Sequence, residues 1–169
     1  MSVIDKAFAF ATAAHAAVGQ KRKYDGAPYI VHPQRVADIV RTYGGSDDQI
    51  AAAYLHDVVE DTQVDIDTIR DMFGDTIADL VSDLTDVSCS YDGNRATRKS
   101  IDMEHTLCGS VDAQFVKLAD IIDNSRDIAE NDPSFWKVYQ REMSLLLDEM
   151  VRVKGTDIYN EARASVRVN

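Results

Sequence analysis

The chain has 169 residues, a formal net charge of −11 and a hydrophobic fraction of 45%, which is typical of one soluble globular domain. The acidic composition argues against nucleic acid and anionic membranes as partners, because phosphate contacts supply most of that affinity. Two cysteines are too few for a disulfide framework, and no apolar run reaches the length of a membrane span. We therefore expect a cytoplasmic protein, with Cys108 as a buried thiol.

Helical patterning runs through nearly the whole sequence, with glycine, proline and capping residues at the boundaries. In chain order, the expected helices cover residues 2–18, 33–43, 47–61, 65–73, 75–87, 95–108, 112–130, 134–153 and 156–164. Polar, turn-rich segments at 20–31 and 88–94 predict loops. No run shows the period of two that marks a strand, so we predict an all-α helical bundle forming one domain over residues 1–169.

The string AAAYLHDVVEDT carries a dense group of polar residues. On one continuous helix, four polar side chains would share a face: His56, Asp57, Glu60 and Asp61. Three carboxylates beside an imidazole repel one another unless a cation is present, and such nitrogen and oxygen ligands suit Mn, Fe, Zn or Mg. A solvated acidic helix face is the alternative interpretation.

Two other segments carry candidate ligands. His32 lies at a loop-to-helix junction in PYIVHP, and Asp120 lies between apolar neighbours in FVKLADIIDNSRD. A carboxylate in such surroundings is often drawn toward the interior, where it needs a partner. Helical spacing also places Lys117, Asn124 and Asp127 on one stripe with Asp120, which a solvated face would explain equally well.

Together these strings resemble a known family. His32, the pair His56-Asp57 and Asp120 are similar to the H…HD…D signature of the HD-domain metallophosphohydrolases. The strings GQKRKYDGAPYIVHP, AAYLHDVVEDT and VKLADIIDNSRD resemble the hydrolase domain of the RelA/SpoT family, in its small stand-alone alarmone hydrolase form. The resemblance covers about residues 5–150 and implies an HD-type fold without a synthetase region.

The resemblance also implies roles for individual residues. It implies one divalent metal ion per chain, usually Mn²⁺ although other divalent ions can serve, bound by His32, His56, Asp57 and Asp120. It makes Glu60 and Asp61 the catalytic acidic pair, which positions or deprotonates the attacking water. It implies nucleotide contacts for Arg22 and Lys23 at the base, Asn124 at the sugar, and Tyr139.

The sequence departs from the family pattern in two places. The family often has a histidine two residues before the Gly-Gln pair, where this chain has Ala17, and the nearest histidine is His15. A basic residue commonly follows the metal aspartate, where this chain has Ile121, Ile122 and Asp123. These differences put a role for His15 in doubt and could alter contacts around the metal or substrate.

The activity implied by the resemblance is removal of the 3′-diphosphate from guanosine tetra- or pentaphosphate, giving GDP or GTP and pyrophosphate. The residues by themselves support only metal-assisted phosphoester hydrolysis. An adenine alarmone or a phosphorylated dinucleotide is an alternative substrate, and a nucleotide sensor or a helical interaction module is an alternative function. The expected partner is a small nucleotide, and both a monomer and a homodimer are compatible with the sequence.

Overall fold

The structure is a computed structural model and describes residues 1–167. The chain forms two compact units, one over Met1–Thr85 and the other from Asp86 onward. Residues 1–167 contain no strand, and one isolated antiparallel bridge pairs Lys21 with Pro28. The predicted all-α class is confirmed. The interpretation of residues 1–169 as one domain stays a prediction, and its last two residues lie outside the described range.

The first unit is built around a buried central helix. Its helices, numbered in chain order, are α1 Val3–Ala17, α2 Val31–Thr42, α3 Asp47–Leu55, α4 Val58–Asp61, α5 Ile66–Phe73 and α6 Asp75–Leu84. Helix α3 packs against α1, α2 and α6. Its residues from Gln49 to Leu55 are all buried, and the small side chains of Ala51, Ala52 and Ala53 let the neighbouring helices approach closely.

Capping side chains determine where these helices begin. Ser2 and Asp5 form a capping box at the start of α1, and Ser46 and Gln49 form another at the start of α3. At α5, the Asp65 carboxylate accepts a hydrogen bond from the backbone amide of Thr68. Each bond satisfies an amide that the first helical turn leaves without an intrahelical partner. The start of the central helix is therefore encoded locally.

The second unit is also organised around one helix. Its helices are α7 Arg95–Cys108, α8 Val111–Asn131, α9 Pro133–Glu149 and α10 Asp157–Ser165, preceded by a 3₁₀ turn at Ser90–Asp92. Helix α8 packs against α7, α9 and α10. Its apolar residues Leu118, Ile121 and Ile122 are fully buried. These side chains form the core of the second unit.

Most predicted boundaries are confirmed within one or two residues, but two predicted helices are too long. The helix predicted over 75–87 ends at Leu84, because Thr85 adopts extended backbone with φ −79° and ψ 127°. The helix predicted over 134–153 ends at Glu149. Cys108, expected to be buried, is exposed, because the last turn of α7 presents that position to solvent. Within the described range, no helix combines the length and apolar character needed to cross a bilayer.

Candidate active site

Three of the predicted metal ligands lie together in the first unit. His32, His56 and Asp57 each present one ligand atom, and these atoms lie within 4.8 Å of one another. Nε2 of His56 is 3.1 Å from Oδ2 of Asp57, and Nε2 of His32 is 3.7 Å from the same oxygen. Both imidazoles are buried, whereas 20% of the Asp57 side chain is exposed. Solvent therefore reaches the cluster at Asp57.

The helix is interrupted at the His-Asp pair, so the prediction of one continuous helix over 47–61 is wrong here. Helix α3 ends at Leu55 and α4 begins at Val58; between them His56 keeps helical dihedrals (φ −58°, ψ −33°), and Asp57 departs from them (φ −97°, ψ −4°). Nδ1 of His56 lies 2.7 Å from the carbonyl oxygen of Ala53, the acceptor that the Asp57 amide would use in a continuous helix. A side chain that enters the helical ladder in this way interrupts it. The four polar side chains therefore do not lie on one regular helix face.

Hydrogen bonds to neighbouring groups set the protonation of His56 and the orientation of Asp57. The Ala53 carbonyl can only accept, so Nδ1 of His56 carries the proton and its Nε2 keeps the lone pair that a metal needs. The Tyr29 hydroxyl donates a hydrogen bond of 2.6 Å to Oδ2 of Asp57. A carboxylate beside buried imidazole nitrogens is a donor set that suits Mn, Fe or Zn. The residues present therefore fit a divalent metal ion.

The predicted acidic pair lies on α4, directly after the HD pair. Glu60 and Asp61 are both exposed at the surface. The Asp61 carboxylate accepts a hydrogen bond of 2.8 Å from Nε2 of Gln20. Partial desolvation raises the pKa of Asp61, with the Gln20 hydrogen bond opposing that rise. Asp61 is thus an oriented carboxylate that binds a proton more readily than an ordinary aspartate.

Sequence reasoning missed three side chains that pack around this site. His15 is buried on α1, its Nδ1 lies 2.7 Å from Oε1 of Gln20, and its ring centroid is 4.7 Å from that of Tyr29. Gln20 and Tyr29 contact the Asp61 and Asp57 carboxylates, respectively. For Gln20 and Tyr29 the usable signal was their position within the matched string GQKRKYDGAPYIVHP, where only the basic pair and His32 had been given roles, whereas His15 lies four residues before that string.

The predicted loop between α1 and α2 carries the proposed base-binding residues. Its turn closes through hydrogen bonds from the Arg22 amide to Ala27 and from the Gly26 amide to Arg22, at 2.8 Å and 3.1 Å. The Arg22 guanidinium lies 5.8 Å from the ring centroid of Tyr29. The Lys23 ammonium lies 4.9 Å from the ring of its neighbour Tyr24. Arg22 therefore packs beside Tyr29, whose hydroxyl bonds the Asp57 carboxylate of the metal cluster.

Asp120 lies in the second unit, in the middle of α8, and is buried there as the sequence predicts. The Lys117 ammonium donates to its Oδ2 at 2.9 Å, and the Asn124 amide donates to its Oδ1 at 2.6 Å. Burial lowers the pKa of Lys117, but the nearby Asp120 and Asp86 carboxylates outweigh it, and the net direction is upward. The predicted polar stripe is therefore a hydrogen-bonded group rather than a fully solvated face.

Tyr139 lies on α9 within a group of aromatic side chains. Its ring is stacked on Trp136, with centroids 6.2 Å apart, and lies 6.4 Å from Phe135. Burial first, and then the charge of Asp120, raises the pKa of Tyr139. The phenol therefore keeps its proton and can act as a hydrogen-bond donor.

A family model and a long bacterial relative both match most of this chain. A family model described as an HD domain matches residues 7–146. A probable guanosine-3′,5′-bis(diphosphate) 3′-pyrophosphohydrolase of Synechocystis sp. is 36% identical over 144 residues, which is 83% of this chain but only 18% of that protein. The chain thus spans about a fifth of that long relative.

Shorter relatives match over most of their length. The guanosine-3′,5′-bis(diphosphate) 3′-pyrophosphohydrolases named MESH1 of Drosophila melanogaster and Xenopus tropicalis are 31% and 37% identical, covering 82% and 85% of this chain and 79% and 82% of theirs. A solved structure described as a metazoan ortholog of SpoT that hydrolyzes ppGpp has a TM-score of 0.83 and 26% identity. That match covers 98% of this chain and 94% of the other.

Proposed function

Since the chain belongs to the HD-domain family, we propose that it is a metal-dependent pyrophosphohydrolase acting on guanosine tetra- and pentaphosphate. It removes the 3′-diphosphate and gives GDP or GTP and pyrophosphate. The observation that carries the proposal is the buried cluster of His32, His56 and Asp57, with both imidazole Nε2 atoms near one carboxylate oxygen. The names and matched lengths of the MESH1 relatives support the guanosine substrate.

The proposed metal ion is Mn²⁺, one per chain. His32, His56 and Asp57 supply three ligands, and the family signature assigns Asp120 as a fourth. When bound, a divalent ion lowers the pKa of a coordinated water and polarises a phosphoryl oxygen. The fixed Nδ1 proton of His56 supports this assignment, because it leaves Nε2 as the ligand atom.

The acidic pair handles the protons of the reaction. A water oxygen bonds to the phosphorus attached to the ribose O3′, and the bond between that phosphorus and O3′ breaks. The electron pair stays on O3′, which must gain a proton, while the attacking water must lose one. Glu60 and Asp61 are exposed carboxylates next to the metal cluster in sequence, and the raised pKa of Asp61 suits a group that both accepts and returns a proton.

Basic and polar side chains bind the nucleotide in this proposal. Arg22 and Lys23 contact the guanine base, Asn124 contacts the sugar, and Tyr139 contributes a hydrogen-bond donor. Arg22 has the strongest support, because its guanidinium packs beside Tyr29, whose hydroxyl bonds Asp57. Asn124 and Tyr139 rest on the family motif together with their association with Asp120.

Two coarser features complete the proposal. The two compact units act as one hydrolase domain, since the HD-domain match over residues 7–146 runs through the boundary at Asp86. The cytoplasm is the proposed location, because the composition and the small nucleotide substrate both suit that compartment.

The test is turnover of a nucleotide panel by metal-stripped protein after adding back Mn²⁺, Mg²⁺ or Zn²⁺ separately. The panel contains guanosine tetraphosphate, its adenine analogue and a dinucleotide with a 2′-phosphate. We expect pyrophosphate release from the guanosine compound and the highest rate with Mn²⁺. A higher rate on either other nucleotide would replace the substrate, and tight binding of all three without turnover would indicate a sensor.

A further inference from the structure

His15 is a buried side chain that the proposed chemistry does not yet use. It lies near the end of α1 with 1% of its surface exposed, and its ring packs on Tyr29. Burial lowers the pKa of His15, with the Gln20 hydrogen bond opposing that fall, so the ring is neutral near physiological pH. Its Nε2 has no hydrogen-bond partner within residues 1–167. Within the described residues, the His15 ring therefore makes its side-chain hydrogen bond through Nδ1, to Gln20.

The amide of Gln20 connects this ring to the acidic pair. Gln20 Nε2 lies 2.8 Å from the Asp61 carboxylate, which in its ionised form can only accept, so the nitrogen of the amide must face Asp61. The amide oxygen then faces His15, at 2.7 Å from Nδ1, and Nδ1 must carry the proton. One direction of donation therefore runs from His15 through Gln20 to Asp61.

The backbone holds both ends of this connection in place. Gly19, with φ +67°, ends α1, and the Gln20 amide donates to the His15 carbonyl at 3.1 Å. Gln20 is thus anchored to the last turn of α1, while its side chain reaches a carboxylate 41 residues later, on α4. Helices α1 and α4 also pack against each other. The amide is fixed before any substrate arrives.

We propose that Gln20 is a positioning residue for the hydrolysis: it holds the Asp61 carboxylate in one orientation and is itself held by His15. The inference rests on the proposed function, because Asp61 is the proton-handling group there. Asp61 lies at the surface, and the Gln20 amide donates a hydrogen bond that fixes the direction of its carboxylate. A misplaced reacting group can lower a rate by about 100-fold, so we expect Gln20→Ala to lower kcat by about 10- to 100-fold with KM little changed.

A double-mutant cycle separates positioning from a purely structural role. If Gln20 acts through Asp61, then Gln20→Ala should cost almost nothing further in a protein that already carries Asp61→Asn. Additive losses in the double variant would overturn the proposal. Gln34→Ala, at an exposed glutamine on α2, is the matched control and should keep wild-type kcat.

Variants at His15 provide a rescue test. Asn has an amide N–H close to the position of Nδ1, so His15→Asn should retain most of kcat. His15→Phe fills the space without a donor and should resemble Gln20→Ala. Thermal melting of each variant identifies any that fails to fold. Equal losses in the Asn and Phe variants, with both folded, would contradict a role for the donated hydrogen bond.

Nuclear magnetic resonance of imidazole ¹⁵N nuclei tests the same connection without any turnover. We expect wild-type His15 to show the tautomer protonated at Nδ1, and both Gln20→Ala and Asp61→Asn to weaken or reverse that preference. A preference for Nδ1 unchanged in both variants would overturn the proposal whether or not the protein hydrolyses the nucleotide. If the spectra respond as expected and guanosine tetraphosphate is not hydrolysed, the proposed function fails and the connection stands.

Discussion

Three polar side chains face Oδ2 of Asp57: the two imidazoles of the metal cluster and the Tyr29 phenol. The Tyr29 hydroxyl lies 2.6 Å away, Nε2 of His56 3.1 Å, and Nε2 of His32 3.7 Å. A carboxylate oxygen that accepts a strong hydrogen bond and faces imidazole nitrogens is held in one orientation. The cluster is therefore organised by its own residues before an ion binds.

Two substitutions should reduce metal binding to different extents. His56→Ala removes a ligand, and we expect the purified protein to lose its ion, measured by elemental analysis. Tyr29→Phe removes only the hydrogen bond to Asp57, so metal affinity should fall by about 10- to 100-fold, the usual effect of losing such a partner. His105→Ala, on α7, serves as the control and should keep wild-type occupancy. Full occupancy in His56→Ala would remove His56 from the ligand set.

Substitutions in the acidic pair Glu60 and Asp61 should lower activity and leave metal binding unchanged. Glu60→Gln and Asp61→Asn keep the shape of each side chain and remove its charge, so metal content and melting temperature should stay near wild type. Positioned acid or base groups typically contribute about 10²- to 10⁴-fold in rate, and kcat should fall by about that amount. Glu104→Gln and Asp71→Asn, both exposed, are the matched controls. If metal were lost together with activity, the pair would act as ligands instead.

The sequence predicted the site residues that belong to the family signature and not those that reach the site only through tertiary contacts. His32, His56 and Asp57 were predicted from the family signature, and the structure brings them together. Tyr29 and Gln20 act by hydrogen bonds across 28 and 41 residues of sequence, and nothing in the chain's periodicity indicates contacts of that range. Such contacts depend on tertiary packing, which one sequence without relatives does not reveal.

At the scale of elements, the interruption between α3 and α4 is the largest departure from the predicted helices. Propensity and periodicity favour a continuous helix over 47–61, since that segment contains no glycine or proline. The interruption arises because the His56 ring bonds the Ala53 carbonyl. A side chain that competes with the backbone in this way is not visible in a hydrophobic pattern.

The loop between α1 and α2 carries Arg22, which we expect to act in substrate binding only. Arg22 packs beside Tyr29 and contacts the base in our proposal, without touching the reacting phosphorus. Arg22→Ala should raise KM about tenfold, equivalent to about 1.4 kcal/mol, with kcat nearly unchanged, because ground-state and transition-state binding are lost equally. Arg41→Ala, at an exposed arginine on α2, should change neither constant. A fall in kcat at constant KM would assign Arg22 to the chemistry.

The segment that precedes α7 is held by one buried carboxylate. Asp102 accepts hydrogen bonds from the amides of Val87 and Ser88, at 3.1 Å and 2.8 Å, and from the Ser88 hydroxyl at 2.8 Å. Burial favours the protonated form, but the Ser88 hydrogen bonds and the Lys99 charge outweigh it, and the pKa of Asp102 is lowered. The ionised carboxylate therefore stabilises the fold.

The direction of this shift fixes the pH dependence of stability. Because the pKa of Asp102 is lower in the folded than in the unfolded state, its contribution is present above the unfolded pKa of about 3.9. That contribution is lost as pH falls through the lowered folded value. Asp102→Asn should reduce the free energy of unfolding by about 1–3 kcal/mol at neutral pH, the effect of an unsatisfied buried group. The difference from wild type should shrink in strong acid, as measured by thermal unfolding, and a constant difference would contradict the assignment.

For the molecule as a whole, the sequence predicted both the all-α fold class and the HD-domain family, and both predictions are confirmed. The reason is physical: long apolar stripes at helical spacing and local caps encode helices, and three separate motif strings encode the family. The division at Asp86 into two compact units was not predicted, because the segment 85–94 has the composition of an ordinary loop.

Net charge also constrains the whole molecule. In the proposed function a chain with a net charge of −11 binds a strongly anionic nucleotide, so local positive groups have to offset the electrostatic repulsion between them. The basic residues at 21–23 and 95–99 are the sequence's candidates for this purpose. In the structure Arg95 pairs with Glu142 and Lys99 with Asp86, and in the first group the Arg22 guanidinium packs beside Tyr29, whose hydroxyl bonds Asp57.

In the proposed reaction water attacks phosphorus, and the 3′-diphosphate leaves as intact pyrophosphate. The most direct measurement is hydrolysis of guanosine tetraphosphate with Mn²⁺ in ¹⁸O-water, with both products analysed by mass spectrometry. We expect GDP without ¹⁸O and pyrophosphate carrying one ¹⁸O atom. Orthophosphate as the released product, ¹⁸O in the nucleotide, or no hydrolysis would contradict it.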